Sequence, residues 1–204
     1  GIIVGISTAI FLKILSYCIN FTNSFDYYYL LLPGALVICG IFVRYLAPDA
    51  EGHGTEKVIS AIHRRSGKIK VMVVPIKLIT TVITIASGGS GGKEGPCAQI
   101  GAGLSSLFAD MLRLHDKDRK KLVICGISAG FASVFGTPIA GAIFGIEVVY
   151  VGSLLYNILL PSFISGLISY HVTSSLGITY FYHPLKFSFV FSEYFFIMVI
   201  LSGI

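Results

Sequence analysis

Gly91-Gly92-Lys93-Glu94-Gly95-Pro96 sets one carboxylate among glycines, between two long apolar segments. A charge at membrane depth is costly, so an intramembrane Glu marks a functional site. Glycines leave backbone N–H groups uncovered, and with a helix N-terminus those groups make a seat for an anion. A carboxylate beside such a seat occupies it when ionised and leaves it on taking up a proton. The stretch reads as a gate at the start of a membrane helix.

The rest of the chain supports that setting. Of its 204 residues, 54% are hydrophobic and 12% charged, with a mean hydropathy of +0.84, whereas soluble domains carry about 25% charged residues. Several apolar stretches approach the ~20 residues that cross a bilayer as a helix. They predict an all-α integral membrane protein with spans near 1–20, 29–47, 71–87, 97–113, 122–150, 152–171 and 188–204. Residues 1–20 lack the basic start of a cleavable signal and run on into more spans. Because the chain begins and ends inside apolar segments, 1–204 reads as part of a longer membrane domain.

A net charge of +5 could suggest nucleic acid, but its distribution argues against that partner. Lys57, Arg64, Arg65, Lys68 and Lys70 share one polar loop (57–70), and Lys117, Arg119, Lys120 and Lys121 share another (117–121). Two spans separate the loops, so both face one side, which the positive-inside rule makes cytoplasmic. The first span then runs outward, and Asn20 to Asp26 forms a short external turn. Cys18, Cys39, Cys97 and Cys125 are scattered in apolar surroundings without CxxC spacing, as small core residues are.

A second glycine cluster, Glu51-Gly52-His53-Gly54-Thr55-Glu56, precedes a short helical run from Lys57 to His63. Residues 122–150 are too long for one plain span and break at Gly136-Thr137-Pro138. There Thr137 suits a cap and Pro138 a first helical position. Gly126, Ala129, Gly130, Ala140, Gly141 and Gly145 let membrane helices approach closely. Tyr180 to Lys186 reads as an irregular external loop, and no internal sequence repeat is evident.

Two glycine clusters before helices, aimed into the membrane from opposite sides, match a transporter device in which broken helices converge on an anion. Each helix end offers roughly half a positive charge, enough to attract an anion without trapping it. A nucleotide loop is excluded: Ser87 stands where the Walker pattern needs Gly, and Glu94 where it needs Ser or Thr. His53, Glu56 and His63 lack the spacing of a structural zinc site and read as polar loop lining, so no metal or cofactor is implied. Glu147, inside an apolar run, reads equally as a helix-end carboxylate or as a functional one. An embedded enzyme using Glu94 and His53 as acid and base lacks any nucleophile or metal set beside them. A purely structural subunit would have no use for a glutamate in a glycine loop.

The residues resemble the CLC family of chloride channels and chloride/proton exchangers. Gly92-Lys93-Glu94-Gly95-Pro96 matches that family's G-[KR]-E-G-P motif, and Gln99-Ile100-Gly101 continues it. Gly126 to Ala132, Phe135 to Gly141 and Phe144 to Glu147 look like the helices that follow. The resemblance implies an inverted-repeat bundle of broken, tilted helices, of which this chain holds the first half and the start of the second. It implies a homodimer, with Pro138 to Tyr170 part of the dimer surface, and a voltage-gated-type anion path in the cell membrane. Glu94 would be the gating glutamate, with Gly92, Lys93 and Gly95 offering backbone donors and the Lys93 side chain raising the local potential. Gly52, His53, Gly54 and Thr55 fall at the family's G-S-G-I-P segment, with His53 in place of a chloride-holding serine and Glu56 in place of proline. Exchangers of the family usually carry a second glutamate after the position of Glu147; here it is Val148. Valine carries no proton, so the expectation is a chloride channel, with a proton-coupled chloride exchanger as the alternative and a fluoride/proton exchanger as a further variant.

Overall fold

The computed structural model describes residues 1–150, 152 and 155–180, and these form helices, turns and loops with no strand among them. The helices are α1 (Ile2–Thr22), α2 (Leu32–Leu46), α3 (Thr55–Arg64), α4 (Val73–Ala86), α5 (Glu94–Met111), α6 (Asp116–Phe135), α7 (Pro138–Glu147) and α8 (Tyr156–Ser175). Short 3-10 turns at Tyr28–Leu31 and Pro48–Ala50 flank α2. The expected span at 188–204 and the loop beyond Tyr180 lie outside the described residues.

The expected stretches 1–20, 29–47, 71–87, 97–113 and 152–171 coincide with α1, α2, α4, α5 and α8, and 122–150 is divided between α6 and α7, but not every one is a full span. Among the described residues, two segments are long and apolar enough to cross a bilayer alone, Ile2–Thr22 and Tyr28–Leu46. Helix α4 has 14 residues and α7 has 10. At 1.5 Å per residue both fall short of a hydrocarbon core about 30 Å thick. Two expected starts also move. Helix α5 begins at Glu94 rather than 97, because a proline in the first turn removes an N–H that has no helical partner anyway. Helix α6 begins at Asp116 rather than 122, since Asp116 and Asp118 favour a helix N-terminus.

The predicted break at 136–138 is present. Gly136 closes α6 in the left-handed region at φ 70°, Thr137 takes the N-cap position of α7 without a side-chain cap bond, and Pro138 follows. Helices α5 and α6 pack backbone to backbone: a Cβ on Gly101 would strike the Gly126 carbonyl, and one on Gly130 would strike the Cys97 carbonyl. Helix α6 also carries α7 and α8, and one apolar cluster joins Val58 and Ile62 of α3, Ala98 and Ala102 of α5, and Ile124 and Ile127 of α6 to Ile146 of α7. At the α5–α6 turn the buried Arg119 guanidinium bonds Asp110 at 2.9 Å and Asp116 at 2.6 Å. All four cysteines are free, and Cys39, Cys97 and Cys125 are buried.

Candidate anion site at two helix starts

Both glycine clusters open helices, and the fold sets them side by side. Gly54 caps the start of α3 at φ 101°, a conformation suited to glycine. Lys93 stands at the N-cap of α5. A Cβ on Gly95 would strike the His53 carbonyl and lie 2.7 Å from His53 Nδ1, so only glycine fits beneath that residue. A Cβ on Gly54 would lie 2.7 Å from Gln99 Oε1 and 3.2 Å from the Gly95 carbonyl. The positive ends of α3 and α5 therefore meet, and Gly52, His53, Gly54, Gly92 and Gly95 are brought together.

The Glu94 carboxylate folds back over Gly92, occupying the volume a Cβ there would need. Glu94 is half-buried, which leaves its carboxylate room to move. His53 is exposed, and its Nδ1 lies 3.1 Å from Thr55 Oγ1. Thr55 thus orients the imidazole rather than facing the seat alone.

A cavity of about 430 Å³ opens beside these residues, lined by Gly52, His53, Gly91, Gly92 and Pro96 and walled by α2 and α4. Its floor holds a residue that sequence reading passed over. Lys77, buried in the middle of α4, donates from Nζ to the Gly52 carbonyl at 2.6 Å and the Ala50 carbonyl at 3.1 Å. No carboxylate pairs with it among the described residues. It places a cation beneath the loop that leads into α3, and a lone lysine in Val73-Val74-Pro75-Ile76-Lys77-Leu78-Ile79 was signal enough to find it.

Two further ties fix that loop. Gln99 donates from Nε2 to the Asp49 carbonyl at 2.8 Å, and Arg65 forms a two-pronged bond to the Asp49 carboxylate at 3.0 and 3.3 Å. Lys93, by contrast, lines a different cavity, of about 620 Å³, together with Lys13, Ser16 and Tyr180. Its side chain and the His53 ring open onto separate spaces.

Glu147 and Val148 end α7 away from the seat. A Glu147 oxygen accepts from Gly152 N–H at 3.4 Å, and Val148 packs against the central apolar cluster. His63 bonds the neighbouring Val149 carbonyl at 3.0 Å, at the far end of α3 from His53. The two histidines and Glu56 thus do not converge on one point.

Short helices that start in pairs inside an apolar bundle are the broken-helix arrangement found in membrane transporters. The chain belongs to the voltage-gated chloride channel (CLC) family, whose model, described as Voltage gated chloride channel, matches residues 34–204. It is 32% identical over 180 residues to the Chloride/fluoride channel protein of Pseudomonas syringae pv. tomato, covering 88% of this chain and 40% of that one. It is 34% identical over 119 residues to the H(+)/Cl(-) exchange transporter ClcA of Salmonella arizonae, covering 57% of this chain and 25% of that one. Among solved structures it is similar to a CLC-type fluoride/proton antiporter, with a TM-score of 0.91 and 27% identity, covering all of this chain and 51% of the antiporter. The chain thus spans about half of these relatives or less.

Proposed function

We propose that this chain forms the first half of an anion pathway in a CLC-type membrane protein, with Glu94 as a protonatable gate. The observation that carries this reading is the meeting of the α3 and α5 N-termini, with the Glu94 carboxylate folded over Gly92 beside them. An anion at that point meets two helix dipoles and the backbone donors of Gly54 and Gly95. Lys77 adds positive potential from below, through a cavity wall of low polarisability. Ionised Glu94 competes for the same potential; protonated Glu94 does not.

Transport without proton coupling is the first reading, on the strength of Val148, which has no proton to give. Fluoride/proton or chloride/proton exchange is the second, favoured by the likeness to an antiporter over the whole chain. The pathway is completed by the remainder of the parent protein. Two copies pair through the exposed apolar face of α7 and α8, where Ile139, Tyr156 and Leu160 are largely uncovered. The basic stretches expected as loops, 57–70 (in fact most of α3 and the loop after it) and 117–121 (in fact the opening of α6), face the cytoplasm on this reading.

The deciding experiment is anion efflux from liposomes holding the full-length parent, with external pH recorded at the same time. Chloride flux without linked proton movement supports a channel. Uphill proton movement driven by a chloride or fluoride gradient makes it an exchanger and overturns the weight given to Val148. No flux of either anion from a folded dimer refutes the transport reading. His53→Ala is expected to change the ratio of chloride to fluoride or nitrate flux, and an unchanged ratio removes His53 from the seat.

A further inference from the structure

The basic stretch from the end of α3 to Lys70 and the basic opening of α6 lie some fifty positions apart in the sequence, yet the fold fuses them into one surface. Gly67, at φ 79°, sits on the start of α6: a Cβ there would lie 3.6 Å from Lys120 Cα and 3.6 Å from Arg119 Cγ. Ile69 N–H donates to Ser106 Oγ of α5 at 3.0 Å, which ties the same loop across the α5–α6 pair. Ion pairs account for part of the positive charge gathered there: Arg65 with Asp49, Arg119 with Asp110 and Asp116, and Lys121 with Asp118. Arg64, Lys68, Lys70, Arg113, Lys117 and Lys120 have no carboxylate partner among the described residues.

Membrane orientation accounts for the sign of these residues but not for their gathering on one surface. Arg64 and Arg113 sit at the C-terminal ends of α3 and α5, where a helix dipole welcomes cations. Lys117 and Lys120 lie in the opening turns of α6, where Asp116 and Asp118 already answer the helix dipole, so both lysines are left facing outward beside Lys68 and Lys70. Large apolar side chains flank the same surface: Val71 and Met72 follow Lys70, and Met111 and Leu112 precede Arg113, each at least half exposed. Cations backed by exposed apolar residues at the ends of membrane helices match a phospholipid, whose phosphate and acyl chain lie at those two depths.

We infer that the fused surface of loop 65–70 and the α5–α6 turn binds the headgroup phosphate of anionic phospholipids. The bound phosphate lies against Lys68, Lys70, Lys117 and Lys120, with the acyl chains alongside Val71, Met72, Met111 and Leu112. Because α3 and α5 run from the anion seat to this surface, one lipid bridges the far ends of both helices that form the seat.

The test is native mass spectrometry of the delipidated full-length parent titrated with phosphatidylglycerol or phosphatidylcholine. Wild type is expected to bind phosphatidylglycerol at least tenfold more tightly than phosphatidylcholine. The pairs Lys68→Gln with Lys70→Gln and Lys117→Gln with Lys120→Gln each lose affinity for phosphatidylglycerol, by about fivefold per neutralised cation. Lys-to-Arg versions of both pairs, and Lys13→Gln on α1, keep it, which separates loss of charge from loss of fold. Equal affinity for the two lipids, or unchanged affinity in both Gln pairs, overturns the inference. Displacement of the lipid by millimolar inorganic phosphate assigns the site to a free anion instead, and also overturns it.

Discussion

Lys77 Nζ stands 2.6 Å from the Gly52 carbonyl, so the one charged side chain inside α4 is spent on the backbone just before α3. A hydrogen bond from a charged donor contributes about 1.5–3 kcal/mol, so removing Lys77 loosens the loop that leads into α3. Lys77→Met is expected to lower anion flux through the full-length parent by about tenfold or more, at an unchanged dimer yield. Wild-type flux in this variant, measured by liposome efflux, would show that the loop is held without the lysine.

Glu94→Gln removes the negative charge from the position over Gly92 and keeps the shape. Protonating the native carboxylate has the same effect on charge, so, if Glu94 is the gate proposed above, acid outside is expected to open the path and the Gln variant to be open throughout. Flux in the variant is therefore expected to be insensitive to external pH, in the range where wild type responds. A variant that retains the wild-type pH response places the gate elsewhere.

Gly101→Ala drives a methyl group into the Gly126 carbonyl. Overpacking a tight contact costs about 1–3 kcal/mol. The expected result is a lower melting temperature, read with a thiol-reactive dye that reports exposure of Cys97 and Cys125. Gly52→Ala meets no neighbouring atom, although its positive φ adds backbone strain, so it separates conformational from steric cost. Equal melting of Gly101→Ala and wild type would contradict the close packing.

The Arg65 guanidinium bonded to Asp49 holds the Asp49 carboxyl below its ordinary value of 3.8. A carboxylate whose pKa falls on folding stabilises the fold above its unfolded value, and that contribution is lost as pH falls through the folded one. The two side chains are 42% and 26% exposed, so the pair contributes no more than about 1 kcal/mol. Arg65→Ala should cost stability by that amount at neutral pH and nothing once pH falls well below about 4. A difference that persists in acid would mean that the arginine acts by packing.

Much of the site was legible in the sequence because glycine, proline and charge leave marks that survive without coordinates. Gly92 to Pro96 announced a helix start with a carboxylate on it, and Gly136 to Pro138 announced the break between α6 and α7. The partnership of the two starts was anticipated from topology and from resemblance, but its detail was not. That His53 rests on Gly95, or that Gln99 reaches the Asp49 carbonyl, depends on how α3 and α5 cross, and local patterning carries no record of a crossing. Lys77 escaped notice because attention to loops passes over a single charge inside an apolar helix. Hydropathy located the helices but not their lengths, because it measures how greasy a segment is, and α4 and α7 are greasy but short. They are held at membrane depth by neighbours rather than by their own length.

The glycine contacts between α5 and α6 have a mechanical consequence. Where main chain lies directly on main chain, neither helix can slide or roll past the other without a collision, so the two behave as one splint. A residue at the tip of that splint keeps only the freedom of its own side-chain bonds. Any switching done at Glu94 is therefore a matter of two or three torsions, small in amplitude and quick to reverse.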